Sequence, residues 1–273
     1  MEVKAEIQRE YNPAHPNFER WQKARDLSLE RAKFVESIIK EVTDLSGKII
    51  LDLGSGEGNT SSLLSKNNFV VSIDVKPERI KRMDKSRTIQ PLLADAFQLP
   101  LKKNSFDIII LQDVIEHIDV TDRLVEDLFS LLKSDGIIYL STPNKLSVIN
   151  IISDPHWGIP LLSLFKREQI NKFFLRYFRK ADYNRTDISE LLSLNDIFKK
   201  FNEKFSITFF TNYSVQNLLD GGKGIIWSNF HLRIVKFVKS LGLKKILLQV
   251  ANDKPGMINK FFTPTFYIVI KKY

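Results

Sequence analysis

Three glycines at alternate positions, Gly54, Gly56 and Gly58, follow an apolar run that begins at Ile49. Glycine permits positive φ and lets a backbone approach a bound group closely. Thr60 to Ser65 reads as the start of a helix, whose N-terminus can receive a polar or charged ligand group. Asp74 lies 20 residues after Gly54, the spacing at which an acid takes the two vicinal hydroxyls of a ribose. Capping of the helix started by Pro77 is its alternative use. Two histidines, His117 and His156, titrate near neutrality and can take a proton from a hydroxyl. For His117 packing is the competing role, and for His156 a place in the turn after Pro155. Asp113 is a third candidate base.

The elements that must position these groups alternate in type. Strands are expected at 49–53, 70–75, 92–96, 106–111 and 137–141, with helices between them, including an amphipathic one at 122–133. That alternation gives an α/β doubly wound sheet. The run 106–111, Phe-Asp-Ile-Ile-Ile-Leu, has the continuous apolar character of a central parallel strand. Upstream, 18–42 carries one loosely helical pattern; downstream come a helix at 195–205 and strands at 205–211 and 265–271.

Leu-Asp-Leu before Gly-x-Gly-x-Gly, Asp74, Leu-Leu-Ala-Asp-Ala at 92–96 and Gln-Asp-Val-Ile-Glu-His-Ile at 112–118 stand in register. Together, residues 49–143 resemble a class I S-adenosylmethionine-dependent methyltransferase, of the broad type that includes ubiquinone-biosynthesis and lipopolysaccharide-cluster enzymes. Thr142-Pro-Asn followed by Asp154-Pro-His-Trp is similar to a pattern in methyltransferases of glycan and natural-product clusters. The resemblance implies a Rossmann-like seven-stranded sheet with helices on both faces, inserted cap segments and an antiparallel last strand. It implies S-adenosyl-L-methionine as cofactor, held by Asp52, Gly54, Ser55, Gly56 and Gly58. Asp74 and Val75 would serve the ribose, Asp95 and Ala96 the adenine, and Gln112 and Asp113 the methionine part. Arg31, with Arg25 second, would meet the cofactor carboxylate. His156, His117 and then Asp113 are the candidate bases for in-line transfer to a hydroxyl on a small-molecule, glycan or lipid-linked acceptor.

The chain then divides into a helical cover (1–46), a cofactor-binding core (47–143), a substrate cap (144–194) and a completion of the core (195–273) carrying a basic insertion at 214–262. With 273 residues, 43% of them hydrophobic, it can bury a full core. No apolar run reaches the roughly 18–20 residues that span a bilayer, and the charged start is not signal-like. Absent cysteine excludes disulfides and thiolate chemistry and fits a cytoplasmic protein. The histidines and carboxylates lack metal-ligand spacing, so no metal is expected.

Net charge is +9. Residues 166–185 hold seven Lys/Arg against Glu168 and Asp182, and 223–260 hold eight against Asp253. Such charge suits an anionic partner. Phe230, Ile234, Phe237, Val238 and Leu241 share one helical face, which would pack on the core or lie on an anionic membrane. A nicotinamide oxidoreductase is the competing enzyme class, disfavoured by the glycine spacing. An RNA methyltransferase rests on charge alone, and nucleic acid is not the expected partner. A catalytically silent partner protein would keep the fold without the activity.

Overall fold

The computed structural model describes residues 11–183, 185, 187–201, 205–226 and 229–272. The charged start of the expected helical cover, 1–10, lies outside them, as do 202–204 of the expected helix at 195–205.

Seven strands form one sheet: β1 (Ile49–Leu53), β2 (Phe69–Asp74), β3 (Ile89–Leu93), β4 (Phe106–Gln112), β5 (Leu132–Pro143), β6 (Phe205–Phe209) and β7 (Thr265–Lys272). Their order is β3-β2-β1-β4-β5-β7-β6. β1 to β5 are parallel, and β7 runs antiparallel to both β5 and β6. The chain winds outward from β1 to β3, then returns beside β1 as β4, so the crevice above β1 and β4 is the switch point where such sheets take ligands.

Side chains alternate between two buried faces. Leu51, Leu53, Ile109, Leu111, Ile138 and Leu140 pack with α5 (Asp122–Leu131) and α6 (Leu194–Phe201). Ile50, Val70, Ile108, Ile110 and Tyr139 face α2 (Ser28–Lys40) and α3 (Asn59–Leu64). α5 begins where the Thr121 hydroxyl accepts the Leu124 N–H at 3.1 Å. It buries Leu124, Val125, Leu128 and Leu131, a spacing that keeps them on one face.

Several expected bounds shift for visible reasons. The single pattern at 18–42 folds as two helices, α1 (Phe18–Asp26) and α2, broken at Leu27. β3 stops at Leu93 because its partner β2 ends opposite, at Asp74, so Asp95 lies beyond the strand. Pro91 is tolerated there because β3 is an edge. β5 extends to Pro143, which pairs with Thr265 of β7.

Between β5 and α6, short helical turns surround a small core of Trp157, Leu162, Ile170, Leu175 and Ile188. Between β6 and β7 lie α7 (Thr211–Leu219), α8 (Asn229–Ser240), α9 (Lys244–Val250) and α10 (Met257–Phe261). The apolar face of α8 is not packed under the sheet: Phe237 and Leu241 are exposed, and Ile234 and Val238 are only partly covered. No helix among the described residues is long and apolar enough to cross a membrane.

Candidate active site

The loop between β1 and α3 is tied to the end of β2. Ser55 N–H bonds the Ile73 carbonyl at 2.9 Å, and Gly56 N–H donates to Asp74 Oδ2 at 3.0 Å. Asp74 Oδ1 accepts the Lys76 N–H at 2.8 Å, so this carboxylate both holds the loop and starts α4 (Pro77–Arg82). Gly54 has φ of +72°, and a Cβ there would stand 2.5 Å from Val114 Cγ2, so the loop after β4 can approach only a glycine. A Cβ on Gly56 would meet no atom within 4 Å. That open space beside Asp74 is a cradle of the kind a nucleoside cofactor fits. Gly58 caps α3. Gln112 Oε1 accepts from the Thr60 hydroxyl at 2.8 Å, joining the end of β4 to α3.

One expected cofactor residue, Asp52, lies beneath the loop. Asp52 is 1% exposed and accepts from the Ser61 hydroxyl at 2.6 Å; it braces the loop from beneath instead of facing a ligand. Burial pushes its carboxyl up to about 6. Asp95 is exposed and turns back to accept the Phe97 N–H at 3.0 Å, in a loop with partly covered Ala96. Val75 is exposed at the end of β2.

Arg31 reaches from α2 to Asp113, to which its guanidinium is hydrogen-bonded. Asp113 Oδ1 also accepts from the Ser141 hydroxyl at 3.0 Å. Its backbone sits at φ of +56°, rare for a residue with a side chain. Burial raises its carboxyl above the usual range, against the pull of Arg31 and Ser141. Arg25, the second arginine expected, lies over the Tyr11 ring.

Beyond Asp113 the fold brings together residues 39 positions apart. The His117 and His156 rings meet edge to face, centroids 5.2 Å apart. His156 Nε2 is 4.0 Å from Glu116 Oε1, and Glu116 Oε2 accepts from the Thr142 hydroxyl at 3.0 Å. Burial, then the charge of Asp113, pushes the Glu116 carboxyl well up, favouring its protonated form. Burial pulls His117 down to about 4 and His156 well below its ordinary value, so both imidazoles are neutral near pH 7. His117 Nδ1 lies 3.1 Å from the Asp187 carbonyl, which can only accept; the proton is therefore on Nδ1, and Nε2 is left with its lone pair.

This convergence corrects the expectation that the histidines lack ligand spacing. One donor atom from each of Glu116, His117 and His156 lies within 4.8 Å of the others. His156 Nε2 and Glu116 Oε1, 4.0 Å apart, already stand at a separation that two donors on one zinc-sized ion take, up to ~4.2 Å.

The two histidines border a small, partly open cleft, walled by Arg20 and Trp21 of α1, by Trp157 of the cap and by Arg185 and Asp187. Sequence reasoning missed this contribution of α1, Arg185 and Asp187. Trp21 belonged to a visible apolar pattern, but nothing in that pattern said which segment would stand opposite it.

Residues 51–140 match the family model of a methyltransferase domain. The mitochondrial ubiquinone biosynthesis O-methyltransferase of Schizosaccharomyces pombe is 25% identical over 134 residues, covering 45% of this chain and 48% of that protein. The ubiquinone biosynthesis O-methyltransferase of Coxiella burnetii is 29% identical over 121 residues, covering 42% and 50%. The match thus spans about half the length of these curated relatives. Among solved structures, an S-adenosylmethionine dependent methyltransferase from Mesorhizobium loti superposes with a TM-score of 0.53 at 13% identity, over 87% of this chain and 96% of that one. Phosphoethanolamine N-methyltransferase 2 of Haemonchus contortus, solved with S-adenosylhomocysteine, gives 0.50 at 17% identity over 88% and 53%. These two likenesses establish the fold.

Proposed function

We propose that this chain, whose core is a class I S-adenosylmethionine-dependent methyltransferase domain, methylates a hydroxyl of a small-molecule acceptor, a glycan or a lipid-linked compound among them. The observation that carries this reading is the meeting of neutral His117 and His156 just beyond Asp113, at the same end of the sheet as the glycine loop and Asp74. Gly54, Ser55, Gly56 and Gly58 line the cofactor in this reading, Asp74 takes its ribose, Gln112 and Asp113 flank its methionine part, and Asp95 and Ala96 border its adenine. Arg31 orients Asp113 toward it.

S-Adenosylmethionine supplies, when bound, a methyl group on a cationic sulfur that departs as a neutral thioether. The acceptor oxygen bonds to the methyl carbon, and its proton passes to a histidine nitrogen. His117 presents Nε2 for that purpose, held in orientation by the Asp187 carbonyl. His156 is held by the turn in which Asp154 Oδ1 accepts the His156 and Trp157 N–H groups, both at 2.8 Å. Alignment contributes the rest of the rate enhancement.

The test is incubation with methyl-labelled cofactor and a panel of phenolic, glycosidic and lipid-linked alcohols, with products read by mass. Label on an acceptor oxygen, lost in the His117→Gln/His156→Gln double variant, supports the reading. Cofactor binding without transfer to any acceptor would favour the silent-partner alternative.

The exposed Phe237, Leu241, Ile246, Val250, Met257 and Phe262 lie among the lysines of the basic insertion. They support peripheral contact with the cytoplasmic face of an anionic membrane. Co-sedimentation with phosphatidylglycerol vesicles and not with neutral ones is expected; equal recovery with both, or with neither, removes the membrane from the account.

A further inference from the structure

Arg20 lines the cleft from α1 and has no partner there. Among the described residues its side chain makes no hydrogen bond and no ion pair; Asp154 and Glu19 act on it only as more distant charges. The other cations around the cleft are engaged. Arg185 bonds Asp187 at 2.7 Å, Lys76 bonds the same carboxylate at 3.1 Å, and Arg179 bonds the Asn17 side chain at 2.6 Å. Asp187 is thereby committed, its carboxyl held far below the usual range, above all by Arg185.

A Cβ on residue 158 would fall 1.8 Å from Arg20 Nη2, so Gly158 is what lets the guanidinium lie against the cap turn. Burial lowers the pKa of Arg20, only partly offset by the charge of Asp154. A half-buried guanidinium is a fork for a planar or tetrahedral oxyanion, and none of the described carboxylates fills that place.

Two tryptophans share the cleft lining with Arg20, their ring faces already covered: Trp21 stacks on His15, and Trp157 is almost wholly buried. The Arg185 guanidinium lies 5.7 Å and 5.3 Å from their ring centres. His117 and His156 also line the cleft.

We propose that the methyl acceptor carries a carboxylate or phosphate group that seats on Arg20, with its nucleophile facing the two histidines. This rests on the reading of the cleft as the acceptor site of a methyltransferase. It narrows the acceptor to an anionic compound, and it assigns Arg20 as the residue that selects it.

The experiment is calorimetric titration of the full chain with benzoate, phenyl phosphate and neutral benzyl alcohol, and separately with S-adenosylhomocysteine, for the wild type, Arg20→Lys and Arg20→Met. At least one anionic probe should bind the wild type about tenfold or more tightly than benzyl alcohol. Whichever of benzoate and phenyl phosphate binds identifies the group. Arg20→Met should weaken that probe about tenfold or more, and Arg20→Lys should recover part of the loss. Homocysteine-analogue affinity should stay unchanged in both variants, which also reports that they are folded.

Equal binding of the neutral probe, undiminished anion binding by Arg20→Met, or no probe bound by a wild type that does bind S-adenosylhomocysteine would overturn the proposal. So would weakened S-adenosylhomocysteine with intact anion binding, which would give Arg20 to the cofactor carboxylate. Failure of the wild type to bind S-adenosylhomocysteine is a separate result and counts against the methyltransferase reading itself.

Discussion

His156 Nε2 lies 4.0 Å from Oε1 of Glu116, a carboxyl shut entirely from solvent, and among the described residues that Oε1 has no hydrogen-bond partner. An acid so placed is stable chiefly as the neutral carboxyl, with Thr142 donating to its other oxygen. Glu116 is therefore read as a positioning group that shapes the surroundings of His156.

Substitution separates this from a charged role. Glu116→Gln keeps the shape and neutrality and should retain activity within a few-fold. Glu116→Ala leaves the buried Thr142 hydroxyl unpaired and should cost about 1–3 kcal/mol of stability. Steady-state rates with urea unfolding decide the matter. If Gln is as damaging as Ala to turnover in a folded protein, the carboxylate charge is required.

The same three side chains could act as cation ligands, and the two uses diverge on chelation. With the histidines as bases, exhaustive treatment with EDTA should leave transfer and melting temperature unchanged. Loss of activity restored by one divalent metal would convert Glu116, His117 and His156 into a metal site.

Buried neutral histidine also sets an acid limit on stability. His117 is held at about 4 in the folded protein against about 6.5 unfolded. Its contribution is present above pH 6.5 and is lost as pH falls from 6.5 to 4, because the unfolded chain binds the proton first. The size is roughly 3 kcal/mol. Asp52 and Asp154, both raised to about 6, act oppositely over about pH 6 to 4. In His117→Gln the urea midpoint should therefore fall less, or rise, over this range relative to the wild type. Parallel profiles for the two proteins would show that His117 is not the buried neutral group.

Gly54→Ala and Gly56→Ala test the loop as a pair. Both positions have positive φ, but only the first would drive a Cβ into Val114. Gly54→Ala should destabilise the fold by about 1–3 kcal/mol. Gly56→Ala should cost less stability and act mainly on cofactor affinity, since its Cβ would enter the cradle. Equal stability loss with equal affinity loss would mean that Gly56 serves only the backbone.

Much of the sheet could be read from local pattern. The apolar run of β4 and the glycine break after β1 are short-range signals, and β1 falls at the expected 49–53. The end of β3 could not be read this way, because it depends on where β2 stops in the register. Asp52 was legible as a member of the glycine motif but not as a buried brace, since that depends on Ser61 in the first turn of α3. The meeting of His117 with His156, and the opening of Arg20 into their cleft, depend on how the cap folds back over α1. No spacing within either segment records that contact.

The most direct test of the central claim is equilibrium titration of the purified chain with S-adenosylhomocysteine and with NADH, repeated for Asp74→Asn. S-adenosylhomocysteine should bind, NADH should not, and Asp74→Asn should weaken the former about tenfold or more as the charged acceptor for the ribose hydroxyls is lost. No binding of S-adenosylhomocysteine, or preference for NADH, would contradict the account.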